Sequence, residues 1–362
     1  MPLCEAPNMS GGSSFSIRRA GPHDLNAISS FYRRLFPEQP ERGDQAVLKW
    51  KFLSQPGDEG VSMFILEENG DIHGVIGYVS MRLNLPTGAV RICEPMDYFV
   101  DARYRGLPAL RLLHKVLNLY PATIGANFSP DARRLITKVG FDSLDPYLRS
   151  CYFPFCGLAI RRRGWALRSM RPLTGRLKVR ARLFWSTILR TVLRCFPAGH
   201  VRHVTRDTLD LQFIPFCDRL ADGQPGIAKD TAYLRWRYAQ SPLLNCRFVH
   251  QTRDGNPTGL AIVHFDDQNN SAVLLDVVVD RSGNASATSL ILAIIDYCNA
   301  CGRSLLTTSM LDQHLMASLK LCGFGDTQGS IGFMTYSKDE HIKKAMQIPS
   351  LWNFVVGNTD VY

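Results

Sequence analysis

The chain has no long apolar run. No uninterrupted hydrophobic stretch approaches the ~20 residues a helix needs to cross a bilayer, which argues against a helical membrane span. The opening residues, Met1 to Ser14, have neither a basic start nor an apolar core. They are therefore expected to be a disordered lead-in rather than a secretory signal. The ten cysteines show no framework spacing. In a chain of this length they read as reduced thiols, which points to the cytoplasm. Cys298 and Cys301 form one CxxC without a second pair or a nearby His cluster, on an apolar helix ending before Gly302, so no metal site is expected. The sharpest absence is local. Between Arg161 and Arg206 there is no Asp or Glu, against 13 Lys or Arg. The remainder holds 29 basic and 32 acidic residues, so the net charge of +10 belongs to that one segment.

What is present is a repeat. Leu48-Lys49-Trp50-Lys51-Phe52 returns as Leu234-Arg235-Trp236-Arg237-Tyr238. Each copy continues through two apolar runs joined by a Gly-containing turn to an acid-bearing strand. These are Met96-Asp97-Tyr98-Phe99-Val100-Asp101 and Leu275-Asp276-Val277-Val278-Val279-Asp280. A helical stretch follows, and the copies close on Gly140-Phe141 and Gly323-Phe324. Corresponding points lie about 180–186 residues apart, which predicts two similar α/β domains.

In the first copy the pattern predicts a strand at 15–20 and a helix from Pro22 to Leu35. It then predicts an antiparallel pair at 61–67 and 72–85, a strand at 90–100 and a helix from Leu107 to Leu119. A strand at 123–127 and a helix from Pro130 to Val139 complete that copy. The second copy repeats the order, ending with a closing strand at 331–336. Trp50 and Trp236 have two readings. One is an amphipathic helix that buries the indole and leaves its basic neighbours in solvent or snorkelling. The other is a shelf for a sugar or acyl substrate.

This order resembles the GNAT (GCN5-related N-acetyltransferase) family. The residues that carry the resemblance are Ile17-Arg18-Arg19-Ala20 with Asp24, Tyr98 through Gly106, and Asn127 through Gly140-Phe141. It covers nearly all of 15–145 and, more faintly, 208–337. The resemblance implies an α/β (α+β) fold of two tandem GNAT-like domains, each a mixed central sheet flanked by helices, joined by a basic helical bridge. The expected boundaries are a lead-in at 1–14, domains at 15–150 and 207–340, the bridge at 151–206 and a tail at 341–362. It further implies an N-acyltransferase that takes acetyl-CoA or a longer acyl-CoA and acts on a small-molecule or glycan amine. The Trp-Arg-Tyr element and the ending Pro349 to Asp360 are similar to a subset linked to bacterial polysaccharide or cell-envelope synthesis, so an amino sugar or envelope precursor is the expected acceptor.

The donor would be held by Phe99, Val100, Arg103, Arg105, Gly106, Leu107, Pro108, Ala109, Leu110 and Asn127. Unpaired amides at a helix start favour negative charge, and a glycine at the bend lets them approach a pyrophosphate. Arginines add cationic donors. The family's loop usually reads Arg/Gln-x-x-Gly-x-Gly/Ala. Here Pro108 takes a small-residue position and supplies no N–H. The general base that amine acylation needs is expected to be Glu94 or Asp97. Their odd spacing places them on opposite faces unless Pro95 introduces a bulge. The family's frequent Tyr acid aligns with Ile136 and Leu319, neither of which can carry a proton; Tyr98 or Tyr104 could substitute. The second copy's Asp280 to Ala285 does not match the loop.

The stretch from Arg176 to Cys195 reads as a basic amphipathic helix with a stripe of Leu177, Ala181, Phe184, Trp185, Ile188, Val192 and Cys195. An anionic membrane surface contacted through 161–206 is one expected partner, which would make the protein peripheral at the inner face of the membrane. A packed structural helix, a phosphate-rich acceptor and a nucleic acid such as tRNA are the other readings. The lack of interleaved aromatics argues against nucleic acid. Two further functional readings stay open: a Fem-like aminoacyl-tRNA-dependent transferase, and a non-catalytic membrane-docked scaffold.

Overall fold

The computed structural model describes residues 15–57, 60–155, 201–280, 284–328 and 332–358, with positions 181, 184, 185 and 188 between them. These residues form two compact units, one of 1–79 with 95–119 and one of 80–94 with 120–362. The expected lead-in and most of the expected basic bridge lie outside the described residues.

In the first unit, Arg18 fixes the start of the chain. It sits on β1 (Ser16–Arg19), which is antiparallel to β2 (Met63–Glu68). Its guanidinium reaches Asp24 at 2.7 and 2.8 Å and Glu67 at 2.9 and 3.0 Å. The Gly21 N–H also donates to Asp24, at 2.7 Å. This ties β1 to the entry of α1 (Leu25–Leu35), whose Ile28, Phe31 and Tyr32 are buried. The Arg18 contact holds the Asp24 carboxyl down to about 2. A depressed folded-state value stabilises above the unfolded carboxylate range, near 4, and that stability is lost as pH falls through the folded value. The difference in unfolding midpoint between the wild type and Asp24→Asn should therefore be constant above about pH 4 and shrink toward pH 2. A constant difference at every pH would contradict the pairing.

α2 (Gln45–Phe52) is capped by Asp44, which accepts from the Ala46 N–H at 2.6 Å. β2 turns into β3 (Asp71–Leu85) through Asn69 and Gly70, both at positive φ (53° and 87°), as a two-residue hairpin requires. β4 (Gly88–Val100) and α3 (Leu107–Leu117) follow. The unit's strand order is β1-β2-β3-β4.

Along the chain, β3 passes from the first unit into the second after Val79, and β4 passes back into the first at Pro95. The second unit adds β5 (Ala122–Ala126), α4 (Pro130–Val139), β6 (Asp142–Ser143), β7 (Arg149–Pro154), β8 (Val201–Arg206), α5 (Ile214–Gly223) and β9 (Gly226–Ile227). α6 (Thr231–Leu234) runs into a π turn at Arg235–Ala239. The rest is β10 (Cys246–Arg253), β11 (Asn256–Asp266), β12 (Ser271–Val279), α7 (Asn284–Ala300), β13 (Leu305–Met310), α8 (Gln313–Leu321), β14 (Gly325–Gln328), β15 (Phe333–Ser337) and α9 (Glu340–Met346).

Within this unit the two sequence copies exchange strands. β15, expected to close the second copy, lies between β5 and β6 of the first, with Thr335 opposite both Ile124 and Asp142. β7, which follows the first copy in sequence, lies between β13 and β14 of the second, with Tyr152 opposite both Thr307 and Gly325. Ladder bonds are alike whichever strand supplies them, so apolar patterning predicts a strand without naming its partner. Phe153 and Phe333, both fully buried, anchor the two exchanged strands. The segment expected as a bridge at 151–206 therefore begins and ends in strands, β7 and β8. The expected tail contributes α9, two 3₁₀ turns and the buried Leu351, Trp352, Phe354, Val355 and Val356. No helix among the described residues is long and apolar enough to cross a membrane.

Candidate functional site

In both copies a short parallel ladder sits in the sheet. β4 and β5 pair only at Ile92–Ala122 and Cys93–Thr123. β12 and β13 pair from Ser271–Leu305 to Val273–Thr307. Both leading strands run several residues beyond the last pair.

In the first unit, β4 leads through a 3₁₀ turn (Ala102–Tyr104) into α3. Gly106 caps α3 at φ 99° and ψ −129°, a region essentially confined to glycine, and a Cβ there would meet nothing within 4 Å. The backbone at the bend is therefore approachable. The Leu110 N–H closes the first turn on the Gly106 carbonyl at 2.9 Å. Leu107 and Ala109 supply the first-turn amides, and Pro108 supplies none. No acidic residue lies in that turn, and Arg103 and Arg105 are exposed beside it. The Arg103 guanidinium lies 3.7 Å from the Glu68 carboxylate, so the first-turn amides, the helix dipole and Arg105 supply most of the positive character an oxyanion needs there.

The turn is braced from below. The Asp101 N–H donates to the His73 carbonyl at 2.8 Å, and the Asp101 carboxylate meets Arg34 and His73 at 3.0 Å each. The Tyr104 hydroxyl donates to Glu68 at 2.5 Å, which raises its phenol above the ordinary range, and its ring stacks on His73 at 4.6 Å.

Asp97 lies on β4 at φ 50°, a left-handed position unusual for a non-glycine residue. Its Oδ2 accepts from the Lys51 Nζ at 2.8 Å and the Tyr32 hydroxyl at 3.0 Å. The Lys51 side chain is 7% exposed and that of Asp97 12%. Phe99 packs edge-on against Tyr32 and Phe36, with centroids 5.8 and 4.7 Å apart. Val100 is half-buried. The Tyr98 hydroxyl is buried, and loss of water pushes its phenol up to about 12. Asp97 and 99–110 therefore share the first unit, whereas Glu94 and Asn127 belong to the second. There Glu94 is buried, and Asn127, at φ 56°, donates its N–H to the Gly332 carbonyl at 3.0 Å. Regular strand alternation does not run through Asp97, which sits at φ 50°.

The second copy has a related but closed arrangement. Asp276, the counterpart of Asp97, is 0% exposed; it pairs with Lys229 and accepts from the Tyr238 hydroxyl at 2.8 Å and Asn358 Nδ2 at 3.1 Å. Trp50 and Trp236 are both buried, so neither indole forms an open shelf.

Three solved structures share this architecture. A GCN5-related N-acetyltransferase from Anabaena variabilis is 12% identical, with a TM-score of 0.57 over 90% of this chain and 74% of that one. A conserved protein of unknown function from Enterococcus faecalis, a probable N-acyltransferase, is 10% identical, with a TM-score of 0.54 over 90% and 72%. A tandem GNAT protein from the clavulanic acid biosynthesis pathway is 13% identical, with a TM-score of 0.51 over 90% and 98%. The chain has a tandem GNAT-like fold. No family model matches it, and no curated protein matches it.

Within the GNAT-like fold, sequence reasoning missed Lys51, Tyr32 and Lys229 as partners of the strand acids. Lys51 and Arg237 were expected in solvent or snorkelling, yet both residues are buried. The only available signal was their place in the repeated motif. The expected membrane-facing stripe is described at four positions, all helical. There Phe184, Trp185 and Ile188 are exposed, and the Trp185 indole N–H donates to the Leu321 carbonyl at 3.0 Å. The second copy's loop at 281–283 lies outside the described residues.

Proposed function

We propose that the protein is an acyl-CoA-dependent N-acyltransferase whose donor is held by the first copy, at the start of α3. The observation that carries this reading is the N-terminus of α3. It combines a glycine-only bend with open space, first-turn amides at Leu107 and Ala109, and exposed Arg103 and Arg105. An acyl-CoA would supply an activated thioester carbonyl together with phosphates for that turn. Phe99 and Val100 lead the strand toward it. Pro108 removes one amide, so the arginines carry more of the phosphate binding than in a loop with a full set of amides.

An acid on β4 takes the amine proton. Asp97 is favoured over Glu94 because its side chain is 12% exposed and lies in the same unit as the donor turn. Lys51 and Tyr32 fix its Oδ2, which orients the carboxylate. The acceptor class in this reading is an amino sugar or envelope precursor. A panel of amino sugars and simple amines, assayed by CoA release, tests it.

If Asp97 is the base, Asp97→Asn lowers kcat by about 10²–10⁴-fold. The change also strands the buried Lys51 charge, so Lys51→Met/Asp97→Asn serves as the folded control. An Asp97→Asn enzyme with wild-type kcat would remove Asp97 from the chemistry and leave Glu94 as the candidate.

A further inference from the structure

The second copy holds a peptide where its ladder ends. β12 and β13 stop pairing at Val273–Thr307, yet β12 runs to Val279 and β13 to Met310. The segment Trp352–Asn358 lies beside both. On the β13 side, Val355 bridges Met310, and the Leu311 N–H donates to the Phe354 carbonyl at 3.0 Å. On the β12 side, Gly357 lies so close that a Cβ there would sit 2.4 Å from the Leu275 carbonyl oxygen and 2.7 Å from the Tyr238 hydroxyl.

The polar groups of the segment are met individually. The Asn358 Nδ2 donates to Asp276 at 3.1 Å and to the Tyr233 hydroxyl at 3.2 Å, while its Oδ1 accepts from the Val355 N–H at 2.8 Å. Arg237, the repeat counterpart of Lys51, donates from Nε to the Gly357 carbonyl at 2.9 Å. Lys229 donates to the Asn353 carbonyl at 2.7 Å, and the Asn353 side chain bonds both the N–H and the carbonyl of Ile227 at 2.8 Å. Trp352, Phe354 and Val355 are fully buried and Asn358 nearly so. Buried charged and amide groups paired with peptide carbonyls make a fitted site, because each group would be costly without its partner.

We infer that the second copy is a receptor for the chain's own C-terminal peptide, residues 352–358. The basic residue and the strand acid that recur in both copies serve there to hold this peptide, which closes the second copy to an acyl donor. One donor per chain follows. The stoichiometry rests on the reading proposed above, while occupation of the second copy by the peptide does not.

Hydrogen exchange on the full chain, without acyl-CoA, tests the occupation separately. The amides of Leu311 and Val355 should exchange as slowly as those of β12. Gly357→Val should accelerate exchange at 353–358 at least a hundredfold. Asn358→Ala, a milder change, should do so at least tenfold and leave the amides of β2 unchanged. Wild-type amides at 353–358 exchanging at the rate of an unstructured peptide would overturn the proposal. So would two acetyl-CoA sites per wild-type chain with those amides still protected. A chain that binds no acetyl-CoA but keeps its tail protected would sink the donor reading and leave the receptor assignment standing.

Discussion

Gly106→Asp abolishes acetyl-CoA binding, while Gly106→Ala binds within about tenfold of the wild type, a difference of roughly 1.4 kcal/mol. Both variants pay for the same backbone. At φ 99° and ψ −129° any Cβ is strained by about 1–3 kcal/mol, although nothing within 4 Å obstructs it. Both should therefore lose stability to a similar extent. They differ in charge. A carboxylate about 4 Å from a phosphate at an effective dielectric of about 20 costs about 4 kcal/mol. That corresponds to roughly a thousandfold in Kd. It also cancels the dipole and the arginines that make the turn attractive to anions. Isothermal titration of the three proteins, with thermal unfolding beside it, separates strain from charge. Equal affinity in the two variants would show that no anion sits at this turn.

Asp276→Ala is the most destabilising single change expected in the second unit. Asp276 is 0% exposed and Lys229 4% exposed, and three further donors converge on the same carboxylate: the Tyr238 hydroxyl, Asn358 Nδ2 and the Val277 N–H. Removing it leaves a buried ammonium without its counter-charge, which costs about 3–5 kcal/mol. For a unit of this size that is a fall of roughly 10 °C in unfolding midpoint. The exposed pair Arg82–Asp222, at 37% and 70% side-chain exposure, is the contrast. Asp222→Ala should change stability by less than about 1 kcal/mol. Lys229→Met/Asp276→Leu should recover most of the loss, because it removes both charges together. A double variant as unstable as Asp276→Ala would place the cost in the lost hydrogen bonds rather than in the stranded charge.

The repeat, the element order and the α3 turn were legible in the sequence because they depend on local signals. A Trp-basic-aromatic motif, a Gly-Phe close and an Arg-Gly bend each mark a position along the chain. Other features depend on partners that local patterning does not name. Lys51 sits 46 residues from Asp97, and its amphipathic context suits a solvent-facing residue equally well. Strict strand alternation could not place Glu94 and Asp97, since the left-handed turn at Asp97 interrupts it. β7 and β15 were exchanged because a ladder accepts any strand with the right pattern. The tail carried its own signal in Trp352, Phe354, Val355 and Val356. Four large apolar residues over five positions indicate burial, and their binding site is formed by the second copy.

Titration of the full-length wild-type chain with acetyl-CoA and a longer acyl-CoA tests the central claim most directly. One micromolar site per chain, with a preference between the two donors, is the predicted result. No binding of either donor would contradict an acyl-CoA enzyme, and two equivalent sites would contradict a donor site confined to the first copy.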